Sequence, residues 1–190
     1  MPVPVVGIPW YQLAHLPDAV FIGHEVGHLV EEDLALEEPL RHAVAACLAG
    51  MPEERISAWS GRWRSEVFAD VYGVLVCGPA YAQALIDVMS DNPAEIADEQ
   101  QPMPRGWSTY PTRTLRALVV CEAVRRLPTE AADKKFFVAT GDRLQKAWTV
   151  AYPQHAMGSY EPDVARVVCA LMTKPLVAFA TQTQPVGAAV

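Results

Sequence analysis

Prolines and glycines cut this chain into pieces of helix length, and between the cuts apolar residues recur at helical spacing rather than alternating. Pro17-Asp18 opens the first piece, proline suiting the first turn of a helix and aspartate the positive end of its dipole. The segment from Pro17 to about Leu34 therefore reads as one helix. A second is expected from Glu37 to Ala49, closed by Gly50 and Pro52. Glu53 to Cys77 reads as one long helical stretch, which Gly78-Pro79 interrupts before a helix from Ala80 to Ser90. Residues 91–110, with Asn92-Pro93, Pro102, Pro104 and Gly106, read as a long loop of the kind that serves as a lid or binding loop. Helical pattern returns over Pro111 to Leu127, Thr129 to Ala151 and Pro162 to Ala180, and the tail at about 181–190 is expected to fray. Only Val3 to Ile8 reads as extended. The expected fold is all-α or mainly α, a helical bundle forming a single domain over residues 1–190 with at most one short N-terminal strand.

Charge and composition exclude several functions for such a bundle. Fifteen Lys+Arg against 22 Asp+Glu give a formal charge of -7, the opposite of the basic footprint that phosphate recognition needs, so no nucleic-acid partner is expected. The most apolar run, Val67 to Leu85, is interrupted by Asp70 and by Gly78-Pro79 and falls short of a membrane span. Cys47, Cys77, Cys121 and Cys169 lie far apart with no CxxC, which disfavours a disulfide scaffold or a cysteine zinc knuckle and fits a reducing compartment. The amino terminus has neither a basic n-region nor a long apolar stretch, so a cytoplasmic location is expected. The apolar carboxy-terminal helix can pack internally or against a second chain.

The most informative residues are His24-Glu25-Val26-Gly27-His28. Helix positions i and i+4 share a face, so both imidazoles can converge on one ion, while Glu25 lies beside that face within reach of a metal-held water. Two histidines and a carboxylate in the middle of an apolar helix (Phe21, Val26, Leu29, Val30) are costly unless something satisfies them. A catalytic zinc needs a third protein ligand and an open position. The metzincin pattern is excluded, because Leu34 stands where its third histidine would be and Glu31 where its glycine would be. Downstream, Glu66 and Asp70 are also spaced i, i+4, the only acidic pair in the apolar run Val67, Phe68, Val71 and Val74. One of these carboxylates can bind the metal while the other accepts the free ring N–H of a ligand histidine.

His24-Glu25-x-x-His28 followed by Glu66-x-x-x-Asp70 resembles the gluzincin, or thermolysin-like, metallopeptidases. Trp63, Ala69-Asp70-x-x-Gly73 and Gly78-Pro79-Ala80-Tyr81 are similar to stretches of poorly characterised bacterial HExxH proteins. The resemblance covers roughly residues 17 to 90 and, more loosely, the loop and helix after them. It implies His24, His28 and Glu66 as zinc ligands, Glu25 as the base that activates a zinc-bound water, and Asp70 as the group that orients a ligand histidine. Asp70 as ligand in place of Glu66 is the weaker alternative.

The reaction so implied is zinc-dependent hydrolysis of a peptide bond in a peptide or protein substrate. Its tetrahedral intermediate needs a further hydrogen-bond donor, for which Tyr110 and Arg113 are the candidates, with His155 and Tyr160 behind them. His15 and His42 read as ordinary polar or capping residues. In the family resembled, a β-sheet precedes the HExxH helix and its edge strand holds the peptide. Only 23 residues precede His24 here, which leads us to expect a minimal helical version, a part of a longer protein, or a scaffold without that strand. The alternative function is a non-catalytic helical interaction module with a structural or vestigial zinc site.

Overall fold

The computed structural model describes residues 16–99, 110–128, 130–153 and 160–182. Among these the backbone forms nine α-helices and no strand, so the fold is mainly α as expected. The segment Val3 to Ile8, expected to be extended, lies outside the described residues. So do His15, His155 and residues 183–190 of the expected tail, whereas Thr181 and Gln182 are helical.

A 3-10 turn, Leu16–Phe21, leads into α1, Ile22–Asp33. The single helix expected from Pro17 is therefore two windings. No side chain caps the start of α1, and a tightened turn is the usual way to occupy the N–H groups left over at an uncapped end. Helix α2, Glu37–Cys47, is followed by α3, Glu53–Ser57. The stretch expected to continue unbroken to Cys77 instead widens into a π turn, Ala58–Arg62, before α4, Arg64–Cys77. That turn is closed by the Trp63 N–H on the Ala58 carbonyl at 3.0 Å, and it packs Trp59 and Trp63 edge to face, both fully buried. Gly78 ends α4 at φ 63°, a left-handed conformation that favours glycine, and Pro79 occupies the first turn of α5, Pro79–Met89.

The expected loop over residues 91–110 needs correction, because Pro93–Glu99 is a helix, α6. Asn92 acts as its cap, accepting the Ala94 N–H on its side-chain oxygen at 2.9 Å, and Ile96 is buried beneath it. Asn-Pro here starts a helix rather than a turn. Helices α7 (Arg113–Arg125), α8 (Ala131–Ala151) and α9 (Val164–Gln182) complete the described bundle, α9 entered through a 3-10 turn at Glu161–Asp163.

Helix α4 is central. Its Val67, Phe68, Val71 and Val74 belong to the hydrophobic core, and α1, α5 and α7 all pack against it. The α1 backbone comes close to that of α4 at Gly27, where an added Cβ would lie 2.9 Å from the Ala69 Cα. This crossing sets the polar residues of α1 and α4 against each other inside an apolar surround.

Candidate metal centre

Helical spacing puts His24 and His28 on the α1 face that meets α4, and Glu66 comes from the first turn of α4. The His24 and His28 Nε2 atoms are 3.2 Å apart, and each lies 3.6 Å from an oxygen of Glu66. Three ligand atoms on a tetrahedral ion with bonds of 2.0–2.1 Å stand about 3.3 Å from one another. The two imidazole nitrogens stand at that spacing, and Glu66 comes near it with a different oxygen toward each ring, the three donors lying within 4.8 Å of one another. The triad is also the one His/Cys/Asp/Glu group among the described residues spaced to hold an ion. The side chains are 12% (His24), 30% (His28) and 21% (Glu66) exposed, so the cluster opens to solvent on the His28–Glu66 side. Three protein donors and one accessible side are what an open zinc site requires.

Asp70 stands behind this triad, fully buried, with one oxygen 3.0 Å from Nδ1 of His24. It accepts two bonds from the Arg116 guanidinium, both at 2.7 Å, and one from the Tyr81 hydroxyl at 2.6 Å. Burial alone would raise the Asp70 pKa, but the Arg116 and His24 hydrogen bonds outweigh it and hold the carboxyl below its ordinary value. Burial, with Asp70 beside it, pushes the Tyr81 phenol up, so Tyr81 remains a donor. The hydrogen bond with His24 lowers Glu66, and the Arg116 Nη1, 3.8 Å away, adds to this.

His28 has a different neighbour behind it. Its Nδ1 is 3.1 Å from the Ser65 hydroxyl, which donates to the buried Glu31 at 2.6 Å. Arg64, also buried, binds Glu31 through Nε at 2.9 Å and Nη2 at 2.8 Å. Beyond them a cleft of about 550 Å3, lined by His28, Ser65 and Arg64 and by Glu31, Glu32, Glu37 and Glu38, opens beside the triad.

Burial opposes protonation of His24, yet the Asp70 carboxylate bonded to it and the Glu66 carboxylate 3.6 Å away prevail and lift its pKa to about 9. Below pH 9 the metal-free imidazole thus carries a proton that an incoming ion must displace. Zinc affinity is expected to rise about tenfold per pH unit up to pH 9 from this group alone, and then to level off. Chelator competition at pH 6.5, 7.5 and 9.5 measures this, and a flat profile would contradict it.

The remaining candidates have the following surroundings. Glu25 follows His24 on α1 and is exposed. Tyr110 is exposed just before α7. Arg113, expected as an oxyanion donor, is held by Asp91 and Glu99 at 2.7 and 2.6 Å, and the guanidinium that reaches the triad belongs to Arg116, one turn on. Tyr160 is buried against Trp59 and Trp63 with Arg55 over its ring. His42 is exposed, with Glu38 as its neighbour at 3.9 Å. Sequence reasoning gave no role to Arg116, Tyr81, Ser65 or Glu31. The one available signal was that Glu31 is an acid one turn beyond His28 on an amphipathic helix.

No helix among the described residues is long and apolar enough to cross a membrane. Compared with protein-family models, with curated proteins and with solved structures, the chain has no match in any of the three.

Proposed function

We propose that this chain is a zinc-dependent hydrolase of peptide bonds, with His24, His28 and Glu66 as the metal ligands. The observation that carries the reading is the convergence of two Nε2 atoms and a carboxylate at 3.2 and 3.6 Å with one side left open. When bound, the metal supplies Lewis acidity and a water of lowered pKa. Glu25 is the group to take the proton of the attacking water and return it to the leaving amine. Asp70 holds the His24 ring, and because Arg116 offsets Asp70 and Arg64 offsets Glu31, neither of these two buried carboxylates adds an uncompensated charge behind the ligands. Of the two expected oxyanion donors, Tyr110 and Arg113, the second is engaged by two carboxylates. The cleft beside His28 offers room for a peptide or protein substrate. A cytoplasmic location is in keeping with the scattered thiols.

One observation favours the second reading, a structural zinc that staples two helices to display an interaction surface. The three donors bridge the α1–α4 crossing beside Gly27 and would hold the two helices together with no chemistry at all. Glu25 separates the readings, because a staple gains nothing from a base there. Protein purified without added metal is expected to hold about one zinc per chain. Glu25→Gln is expected to keep that zinc and to lose at least about 100-fold in hydrolysis of a peptide library. Absence of zinc sinks both readings. Zinc retained with no cleavage by the wild type favours the staple.

A further inference from the structure

Glu31, Ser65 and Arg64 form a buried polar chain that the hydrolytic reading leaves unexplained. Glu31 and Arg64 are 6% and 7% exposed. Apolar residues of similar size commonly fill such space with equal or greater stability. The chain ends on the ring of a proposed metal ligand. Ser65 Oγ lies 2.6 Å from Glu31 Oε2 and 3.1 Å from His28 Nδ1.

A hydroxyl has one proton to give, and an ionised carboxylate can only accept. Glu31 Oε1 is taken up by the Arg64 guanidinium, which holds the carboxylate in place. The Ser65 proton therefore goes to Glu31 Oε2, and the oxygen lone pair that remains accepts a proton from His28 Nδ1. With its proton on Nδ1, the neutral His28 ring presents an unprotonated Nε2 to Glu66 and to the Nε2 of His24. His24 obtains the same orientation directly, from Asp70 on its Nδ1. Glu31 sits only three residues beyond His28 on α1, and the Ser65 hydroxyl, reaching over from α4, carries its influence to the ring.

We infer that Glu31 and Ser65 are positioning residues of the metal centre, a carboxylate–hydroxyl relay clamped by Arg64 that keeps the His28 proton on Nδ1 and its Nε2 open to the ion. This rests on the reading of the triad as a metal site. The test is zinc affinity of the full chain, by competition with a chromophoric chelator. Ser65→Ala is expected to weaken binding about 10- to 100-fold, as loss of a ligand's orienting partner does. Glu31→Gln, almost the same in shape, is expected to weaken it at least as much. Its carbonyl would face Arg64, its NH2 would donate to Ser65, and the hydroxyl proton would turn onto Nδ1 and force the ring proton to Nε2.

Proton NMR of the zinc-loaded protein supplies a second readout, which a role confined to packing would not move. Wild type is expected to show a slowly exchanging Nδ1–H for each ligand histidine, and Ser65→Ala to lose that of His28 while keeping that of His24. Far-ultraviolet circular dichroism checks that the variants fold, and if Glu31→Gln does not, Ser65→Ala alone decides. A wild-type chain that binds no zinc overturns the metal reading and the relay with it. Wild-type binding with affinity unchanged within twofold in the folded variants, and with both ring protons retained, overturns the relay alone.

Discussion

Replacing Asp70 with alanine is expected to lower the unfolding free energy by about 3–5 kcal/mol, a large share of the roughly 5–15 kcal/mol that keeps a domain folded. Asp70 is fully buried and accepts from Arg116, Tyr81 and His24 together. Its removal would take the shared carboxylate from a guanidinium whose side chain is only 20% exposed, from a buried phenol and from the His24 ring, which keeps only the Tyr81 hydroxyl at 3.2 Å. Urea unfolding of the zinc-free protein measures the loss. Most of the cost comes from the stranded cation, so the double variant Asp70→Leu with Arg116→Met should recover much of the stability. It should still bind zinc weakly, because the carboxylate on His24 Nδ1 is gone and only the Tyr81 hydroxyl, 3.2 Å from that atom, is left beside it. A double variant as unstable as Asp70→Ala would show that apolar replacements do not fill the space.

The second large effect is expected at Gly27, where two simple considerations give opposite signs. Helix propensity favours alanine over glycine by about 1 kcal/mol within a helix. Packing opposes it, because the new Cβ would meet the Ala69 Cα at 2.9 Å, the Tyr72 Cβ at 3.2 Å and the Ala69 carbonyl oxygen at 3.3 Å. The nearest of these is backbone, which cannot swing aside as a flexible side chain can. The helices must separate instead, at a cost of typically about 1–3 kcal/mol for an overpacked contact. Gly27→Ala is therefore expected to be destabilising on balance. Because His24 and His28 ride on α1 and Glu66 on α4, it should weaken zinc binding as well. A raised urea midpoint in Gly27→Ala would show that propensity wins.

Helix class and the main pairing of motifs were legible in the sequence because both follow from local spacing. His24 and His28 one turn apart, Glu66 and Asp70 one turn apart, and the Gly78-Pro79 break all depend on neighbours within a few residues. Asn92-Pro93 was also local, but it suits the start of a helix as well as a turn, and the buried Ile96 that favours the helix shows only once the core exists. The arginine was harder to place. Arg113 and Arg116 lie three residues apart on one helix, and which of them meets Asp70 depends on how far α7 slides along α4, a register that no local pattern records. Ser65 and Glu31 are invisible for a similar reason. A serine beside Glu66 and an acid beyond His28 acquire meaning only when two helices face each other at a particular height.

The guanidinium that neutralises Asp70 belongs to α7, whereas all three proposed metal ligands belong to α1 or α4. Synthesis runs from the amino terminus, so a ribosome finishes His24, His28, Glu66 and Asp70 well before it reaches Arg116. Were α1 and α4 to pair before α7 docks, the proposed cage would carry one more uncompensated negative charge than in the finished protein, and it would hold a cation more strongly then than after α7 arrives.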